Sequence, residues 1–502
     1  MRGLRSLLIE PRPLASLSQL PFYPWLIVGT VCVGAFLGQL DASIAGLVLP
    51  TLEETFSAPV ASVSWVAIAY LVTLAAFVVP FGRLADLAGR KLLYTAGFVV
   101  FILGSALCGF APNLGWLIAF RILQAIGAAM LQANSVAIIT AAVVRRRLGR
   151  AIGIQGAAQA VGLSIGPSVG GFLIDALGWR WVFFIAVPFG VLGTVLAWLM
   201  LPCSVSARDR AQERFDWVGA MLLGPSVALA LLALTFANDW GWTSPQFLLA
   251  SMSAALCVGL FLAAERRAIS ALVDMSLFCS RTFSVGIVAG LLSYAVLFGS
   301  LFLIPFYLER VLSRTPAEAG LLLSPVPLAL GVMAPVSGTL TDRFGSRLPT
   351  VTGMLLSAVA LAALALFPTA SVSVMLGVLA VLGIGLGLFT PPNNSAIMGS
   401  APPHRLGVAG GILNMTRSLG TSLGVALTGA LLAMLLSAQA GGHVEGTLDV
   451  DVAVLQVAVH QTLLFLAALA ALAGLLSAIR GGAPSEEVVP AEHRPLAESI
   501  GL

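Results

Sequence analysis

Fourteen stretches of about 20 apolar residues follow one another along this chain, and each is long enough for a helix to cross the ~30 Å hydrocarbon core of a bilayer. Of the 502 residues, 59% are apolar and only 10% are charged. The mean hydropathy of +1.00 exceeds what a soluble core of this length hides from water. The sequence therefore predicts an all-α integral membrane protein with 14 transmembrane helices.

A short charged turn follows the second apolar stretch and recurs after the tenth. The two copies are offset by 256 residues (338 − 82), and the segments 162–166 and 420–424 correspond with an offset of 258 (420 − 162). Such internal repeats are typical of secondary transporters. The corresponding residues are Gly82, Leu84, Asp86, Gly89, Arg90 and Lys91 in the first copy, and Gly338, Leu340, Asp342, Gly345 and Arg347 in the second.

The repeat divides the chain into two pseudo-symmetric halves of six helices, with the seventh and eighth spans as an insert. We expect a cytoplasmic N-terminal segment at 1–24 and an N-terminal half at 25–201. A linker with the two inserted helices follows at 202–283, then a C-terminal half at 284–479 and a flexible cytoplasmic tail at 480–502.

The distribution of arginine between the loops predicts how the chain is oriented in the membrane. The loops on one side of the spans, which we call the arginine-rich face, hold most basic residues, whereas the other side holds Arg180, Arg310 and Arg314. The positive-inside rule puts the arginine-rich face and both termini in the cytoplasm of a cell (inner) membrane. The run Arg145–Arg150 has an alternative role as an anionic-lipid patch, although topology alone explains it. The basic residues of this face are Arg83, Arg90, Lys91, Arg145, Arg146, Arg147, Arg150, Arg208, Arg210, Arg214, Arg266, Arg267, Arg343, Arg347 and Arg405.

Other function classes find little support. The net charge is +4 and Lys91 is the one lysine, so neither a nucleic-acid face nor a P-loop is expected. Gly162-x-Ser164-x-Gly166 matches a hydrolase motif, but it lies inside an apolar helix rather than between a strand and a helix. His, Cys and carboxylate residues show no metal-ligand spacing. We therefore expect no enzyme activity, no metal and no cofactor.

Asp41 is the strongest candidate site residue, because an acid inside an apolar span is costly in hydrocarbon and usually marks an ion or proton path. A buried acid that never titrates is the structural alternative. Arg121 in the fourth span lies at a similar depth and is its expected partner. If those spans are not neighbours, Arg121 instead holds the fold by binding backbone carbonyls.

Further polar residues within the spans are candidates for a substrate cavity between the halves. Arg417 is a second deep cation with no evident acidic partner, and it either contacts substrate or ties helices together. Amides in the spans line such a cavity or hydrogen bond between helices. The candidates are Gln124, Gln159, Asn394, Asn414 and Arg417.

The repeated turn is a candidate gate on the arginine-rich face. A carboxylate there can accept hydrogen bonds from a helix N-terminus, and a contact made in one state and broken in another would control opening. A solvated connector is the alternative, although its recurrence argues against it. The gate residues are Gly82, Asp86, Gly89, Arg90 and Asp342.

Small residues recur four apart in the fifth span, at Gly162, Gly166 and Gly170, with Pro167 and Gly171 beside them. Such spacing predicts close backbone packing and a bend. It suits a helix at a moving interface between the halves, and a static packing seam explains it equally well.

With these residues the chain resembles the fourteen-span drug:proton antiporters of the major facilitator superfamily. The resemblance extends over all fourteen spans. It includes the first-span motif around Asp41, the loop from Gly82 to Lys91, the fourth-span motif at Arg121 and the fifth-span antiporter motif at 162–171. It implies the major facilitator fold, proton coupling through Asp41 and Arg121, and export. With essentially one deep acid, it does not require cationic substrates.

We therefore expect a proton-driven antiporter that exports amphipathic drugs or other toxic small molecules by alternating access, with protons, substrate and the lipid bilayer as partners and no nucleic acid. A dedicated exporter of one metabolite, antibiotic or lipid is the first alternative. A membrane sensor that has lost transport is the second, and it predicts that Asp41 and Arg121 are dispensable. Engagement of a periplasmic adaptor stays open.

Overall fold

The computed structural model describes residues 13, 18–58, 60–203, 215–268, 271–314, 316–366, 372–440 and 451–480. Within these residues, fourteen helices have 15 or more residues. They are α1 Tyr23–Phe56, α2 Trp65–Ala88, α3 Arg90–Gly109, α4 Leu114–Ala142, α5 Leu148–Leu177, α6 Ala186–Met200, α7 Trp217–Trp240, α8 Pro245–Glu265, α9 Arg281–Phe306, α10 Pro325–Phe344, α11 Arg347–Leu366, α12 Val372–Ser400, α13 Leu406–Ala440 and α14 Val452–Ala478.

Local sequence sets where several of these helices begin. The side chains of Asn113, Asp216, Ser244, Ser280 and Asp451 each accept a hydrogen bond from a backbone N–H in the first turn that follows. Such caps satisfy amide groups that a helix leaves unpaired at its start. Within an α-helix the backbone N–H and C=O groups pair with each other, which suits an apolar stretch that lies in hydrocarbon.

The helices of the two halves pack in the same pairs. In the N-terminal half α1 packs on α5 and α6, while α4 packs on α2 and α3, which also contacts α6. In the C-terminal half α9 packs on α13 and α14, while α12 packs on α10 and α11, which also contacts α14. Adding eight to each helix number of the first half gives the pairs of the second. The architecture is therefore two pseudo-symmetric six-helix halves, as predicted.

The halves meet mainly through two corresponding contacts, α2 on α13 and α5 on α10, and α4 also contacts α13 while α5 also contacts α12. The inserted helices α7 and α8 pack on each other, and α7 also contacts both α2 and α13. The insert thus lies beside the contact between α2 and α13, at the outside of the two halves.

Thirteen of the described helices are long and apolar enough to cross a membrane, and a fourteenth is included if the bent α5 counts as one span. The segment Arg145–Gly166, which includes the short turn before α5, and the segment Ser168–Leu177 at the end of α5 meet at 40°. The chain is thus a multi-pass membrane protein, and the predicted fold class is confirmed. Most of the predicted N-terminal segment, the linker residues 204–214 and the tail from 481 lie outside the described residues.

Candidate functional site

Asp41 and Arg121 form an ion pair inside the N-terminal half. The guanidinium of Arg121 donates to both carboxylate oxygens of Asp41, at 3.0 and 3.1 Å. Asp41 is 8% exposed and Arg121 only 1%. The pairing requires that α1 and α4 be neighbours, which they are. The structure therefore brings together the two residues that the sequence suggested as partners.

Gln124 completes this cluster. It lies one turn after Arg121 on the same face of α4, accepts from the Arg121 guanidinium at 2.7 Å and donates to Asp41 at 2.9 Å. Its side chain is fully buried. From the sequence, Gln124 was a candidate either to line a substrate cavity or to hydrogen bond between helices, and the structure shows it hydrogen bonded between α4 and α1. Its amide fixes the carboxylate and guanidinium relative to each other.

Arg121 also contacts α2. Arg121 Nε donates to the carbonyl of Val66 at 3.1 Å, and its guanidinium lies 4.2 Å from the ring centroid of Tyr70 and 5.7 Å from that of Phe183. Removing one partner of a buried ion pair leaves an uncompensated charge, at a cost of about 3–5 kcal/mol. Arg121 therefore links α1, through Asp41, and α2, through Val66, to its own helix α4.

The other polar candidates lie where the halves meet. Arg417 and Asn414 of α13 both hydrogen bond to Gln132 of α4, Arg417 to the side-chain oxygen and Asn414 to the backbone carbonyl at 3.0 Å. Gln159 and Arg417 line a cavity of about 10 Å³ at this level, roughly the space that one water molecule needs. Asn394 instead lies near the hydroxyl group of Tyr294 within the C-terminal half.

At the arginine-rich face, Asp86 at the end of α2 caps a helix of the opposite half. Its two carboxylate oxygens accept from the backbone N–H groups of Gly407 and Val408, at 3.0 and 3.1 Å, in the first turn of α13. Arg90 binds the same carboxylate at 2.8 Å and donates to the carbonyl of Pro403 at 2.9 Å. We call this contact the Asp86 cap.

Asp342 makes the corresponding contact in the other direction. From the end of α10 it accepts from the backbone N–H groups of Gly149 and Arg150, at 2.8 and 2.9 Å, in the first turn of α5. Ser346 stands where the repeat would place a counterpart of Arg90. The Asp342 cap therefore has the carboxylate and the helix N-terminus of the Asp86 cap without its arginine. Both caps join the halves on one face of the membrane.

Glycines make these contacts sterically feasible. A methyl group on Gly82 would overlap the carbonyl of Gly407, and one on Gly338 would overlap the carbonyl of Gly149. Gly89 ends α2 with φ of 115°, a backbone conformation that side chains disfavour. The predicted gate glycines thus allow close approach of backbones and a tight turn.

Of the two roles left open for the glycine series of the fifth span, the contacts of Gly162 and Gly166 fit a packing seam within one half. A methyl group on Gly162 would lie 2.6 Å from the carbonyl of Phe36, and one on Gly166 would overlap Ser43, both on α1. Nothing lies within 4 Å of the corresponding position on Gly171. Gly170 is buried in the same helix, and Pro167 is in its helical backbone. Gly162 and Gly166 therefore pack within one half rather than at the interface between halves.

The contact of α5 with the other half is made elsewhere. A methyl group on Gly153 would lie 2.5 Å from the carbonyl of Ala334 on α10, and Gly149 packs at the same interface. Tyr70 is a further site residue that the sequence did not indicate, whereas Gln132 belongs to the polar span residues expected either to line a cavity or to hydrogen bond between helices. The signal for Gln132 was a polar side chain in a span, and that for Tyr70 was too weak to distinguish it from core.

Comparison with known proteins identifies the family. The sequence model of the Major Facilitator Superfamily matches residues 31–425. The chain belongs to the major facilitator superfamily, and it is a transporter rather than an enzyme.

Several relatives are named for their cargo. The riboflavin transporter RibZ of Clostridioides difficile is 34% identical over 82% of this chain and 89% of its own length. The multidrug resistance protein Stp of Mycobacterium tuberculosis is 33% identical over 82% of this chain and 76% of its own length. The tetracenomycin C resistance and export protein of Streptomyces glaucescens is 32% identical, with the same two shares. Multidrug and antibiotic-resistance carriers are thus among the relatives.

A solved structure shares the fold. The human organic anion transporter MFSD10 superimposes with a TM-score of 0.66 at 15% sequence identity, over 91% of this chain and all of that one. At this identity the likeness concerns the fold alone.

Proposed function

We propose that this protein is a proton-coupled antiporter that exports amphipathic small molecules across the cytoplasmic membrane by alternating access. The arginine-rich face and both termini lie in the cytoplasm in this proposal. The proton gradient supplies the energy, and no bound cofactor is needed. The buried pair of Asp41 and Arg121 is the observation that carries the proposal.

Asp41 is the proposed proton carrier. In the described state its carboxylate is paired with Arg121 and shielded from water, and both caps hold the arginine-rich face closed. Protonation of Asp41 removes the negative charge that compensates Arg121, so the two protonation states favour different packing of α1, α2 and α4. Each net charge moved inward gains about 2.3 kcal/mol per 100 mV of membrane potential.

Arg417 and Gln132 would form the polar part of the substrate path. They join the halves at mid-helix, so separation of the halves would expose a guanidinium and an amide to a bound molecule. Gln159 lines the same space. This arrangement offers hydrogen bonds and one positive charge, which suits neutral or anionic amphipathic molecules as well as varied drugs.

A second candidate is a dedicated carrier of one metabolite or antibiotic. The relatives named for riboflavin and for tetracenomycin C favour it. A panel of unrelated drugs separates the two: transport of many dyes with mutual competition supports broad efflux, whereas transport of a single planar aromatic compound supports the dedicated carrier.

The test of proton coupling is transport by purified protein in vesicles with an imposed pH gradient, comparing the native chain with Asp41→Asn. We expect the variant to bind the transported dye but to lose gradient-driven movement, because its amide cannot take up and release a proton. Asp274→Asn is the matched control, since Asp274 pairs with Arg405 in a loop at 3.7 Å. Gradient-driven transport that is unchanged in Asp41→Asn would remove Asp41 from the mechanism.

A further inference from the structure

An apolar cavity of about 420 Å³ lies between the inserted helices and the contact of the two halves. Its walls come from α7 and α8, from α2 and α13, and from the segment between α8 and α9. Ser226 is the one hydroxyl residue among the lining side chains, and its hydroxyl is satisfied by the carbonyl of Leu223 at 2.7 Å. Such a space offers no hydrogen bond to water or to a polar ligand, so it selects hydrocarbon.

The cavity opens sideways toward the bilayer. Four of its lining residues, Val258, Leu262, Met275 and Phe278, are between 37% and 43% exposed. They lie on α8 and on the segment that follows it, so the mouth is at the lipid-facing side of the insert. If a methylene group occupies the ~30 Å³ of a water molecule in the liquid, the space accepts on the order of a dozen carbons of a chain.

The mouth is bordered by positive charge. Arg266 follows Leu262 by four residues at the end of α8 and therefore lies one turn further along the same helix face. Arg281 begins α9 three residues after Phe278. Both arginines and Arg267 are exposed. The acid in the same segment, Asp274, is already paired with Arg405.

The segment that closes the end of the cavity is fixed by a buried acid. Glu265, 5% exposed, accepts from the backbone N–H groups of Leu272 and Val273 at 3.0 and 3.3 Å. These bonds hold Val273 and its neighbours against the cavity. The cavity is therefore a built feature of the insert rather than a gap between loosely packed helices.

We propose that this cavity binds one acyl chain of an anionic phospholipid, with the phosphate-bearing headgroup held by Arg266 and Arg281 at the arginine-rich face. An apolar space with a row of exposed arginines at its lipid-side mouth matches both parts of such a molecule. Because the chain would pack on α2 and α13 together, the lipid would contact both halves at once. This inference does not depend on proton coupling or on the substrate.

The test uses the full-length protein in phosphatidylcholine vesicles that contain a trace of phosphatidylglycerol with a photoreactive diazirine in one acyl chain. After illumination, peptide mapping is expected to place the label on residues 258–262 and 412–419. The same experiment with a diazirine phosphatidylcholine reports the headgroup preference. Equal labelling of the cavity by both lipids, or labelling spread evenly over lipid-facing helices, would overturn the proposal.

Two variants with matched controls sharpen the result. Ala230→Trp places an indole in the cavity and should remove most of the labelling there, whereas Leu256→Trp, at a 64% exposed position of α8 outside the lining, should not. The double variant Arg266→Gln with Arg281→Gln should lower the preference for phosphatidylglycerol by on the order of 25-fold. Arg310→Gln with Arg314→Gln removes two exposed charges elsewhere and should leave it unchanged.

If labelling of these residues persists in Ala230→Trp, the acyl chain does not occupy the cavity, and the proposal is wrong. The mapping on the native protein stands by itself if a variant fails to fold. If the double arginine variant is still labelled in the cavity but no longer prefers phosphatidylglycerol, and the control variant keeps that preference, the result supports both the acyl-chain site and the headgroup site.

Discussion

The two caps predict how strongly the arginine-rich face is held closed. Each carboxylate accepts two backbone N–H groups from the opposite half. In Asp342→Asn the charge is lost, only one oxygen remains, and the amide nitrogen faces the second N–H group. Since a hydrogen bond to a charged group contributes about 1.5–3 kcal/mol, we expect a loss of about 2 kcal/mol from the closed state.

A loss of about 2 kcal/mol shifts the ratio of closed to open molecules by about 30-fold, at 1.4 kcal/mol per tenfold. A protein that starts near 100:1 would then be open in roughly a quarter of molecules. Asp86→Asn should shift the ratio further, because it also releases Arg90 from its position against Pro403. The double variant should favour the open state if the two caps act independently.

Distances between spin labels measure this directly. Labels on cysteines introduced at Arg146 and Arg343, exposed positions in opposite halves, report separation of the arginine-rich face in a chain whose five native cysteines are replaced by serine. Asp239→Asn, an exposed acid outside both caps, is the control. An unchanged distance distribution in the double variant Asp86→Asn with Asp342→Asn would refute the view that these carboxylates hold the face closed.

Two further variants test the interior. Asp41→Asn alone should destabilise the folded protein by about 3–5 kcal/mol because it leaves Arg121 buried without its partner, whereas Asp41→Asn with Arg121→Gln should regain most of that loss, as measured by unfolding in detergent. Equal stability of the single variant and the native chain would contradict a strongly coupled pair. Gly166→Val should cost about 1–3 kcal/mol by overlap with Ser43, while Gly171→Val, with open space around it, should be nearly neutral in the same assay. Similar losses in both would argue against close packing of α5 on α1.

The membrane class, the number of spans and the division into halves followed from sequence. Long apolar stretches exclude a soluble fold, and a charged turn repeated with one offset implies two related halves. Asp41 was also evident, because a carboxylate in hydrocarbon is too costly to lie there without a partner or a path. These inferences depend only on the cost of placing each residue type in lipid.

The partners of those residues came from the tertiary structure. The sequence left two roles open for Gln124 and for Gly162, and the structure shows that Gln124 binds Asp41 and that Gly162 packs on α1. The sequence indicated that Asp86 could cap a helix but not that the helix belongs to the opposite half. Helices that are apolar on every side carry no amphipathic pattern to show which face meets a neighbour, so their rotation and pairing are decided by the packing of small residues and the satisfaction of a few buried polar groups.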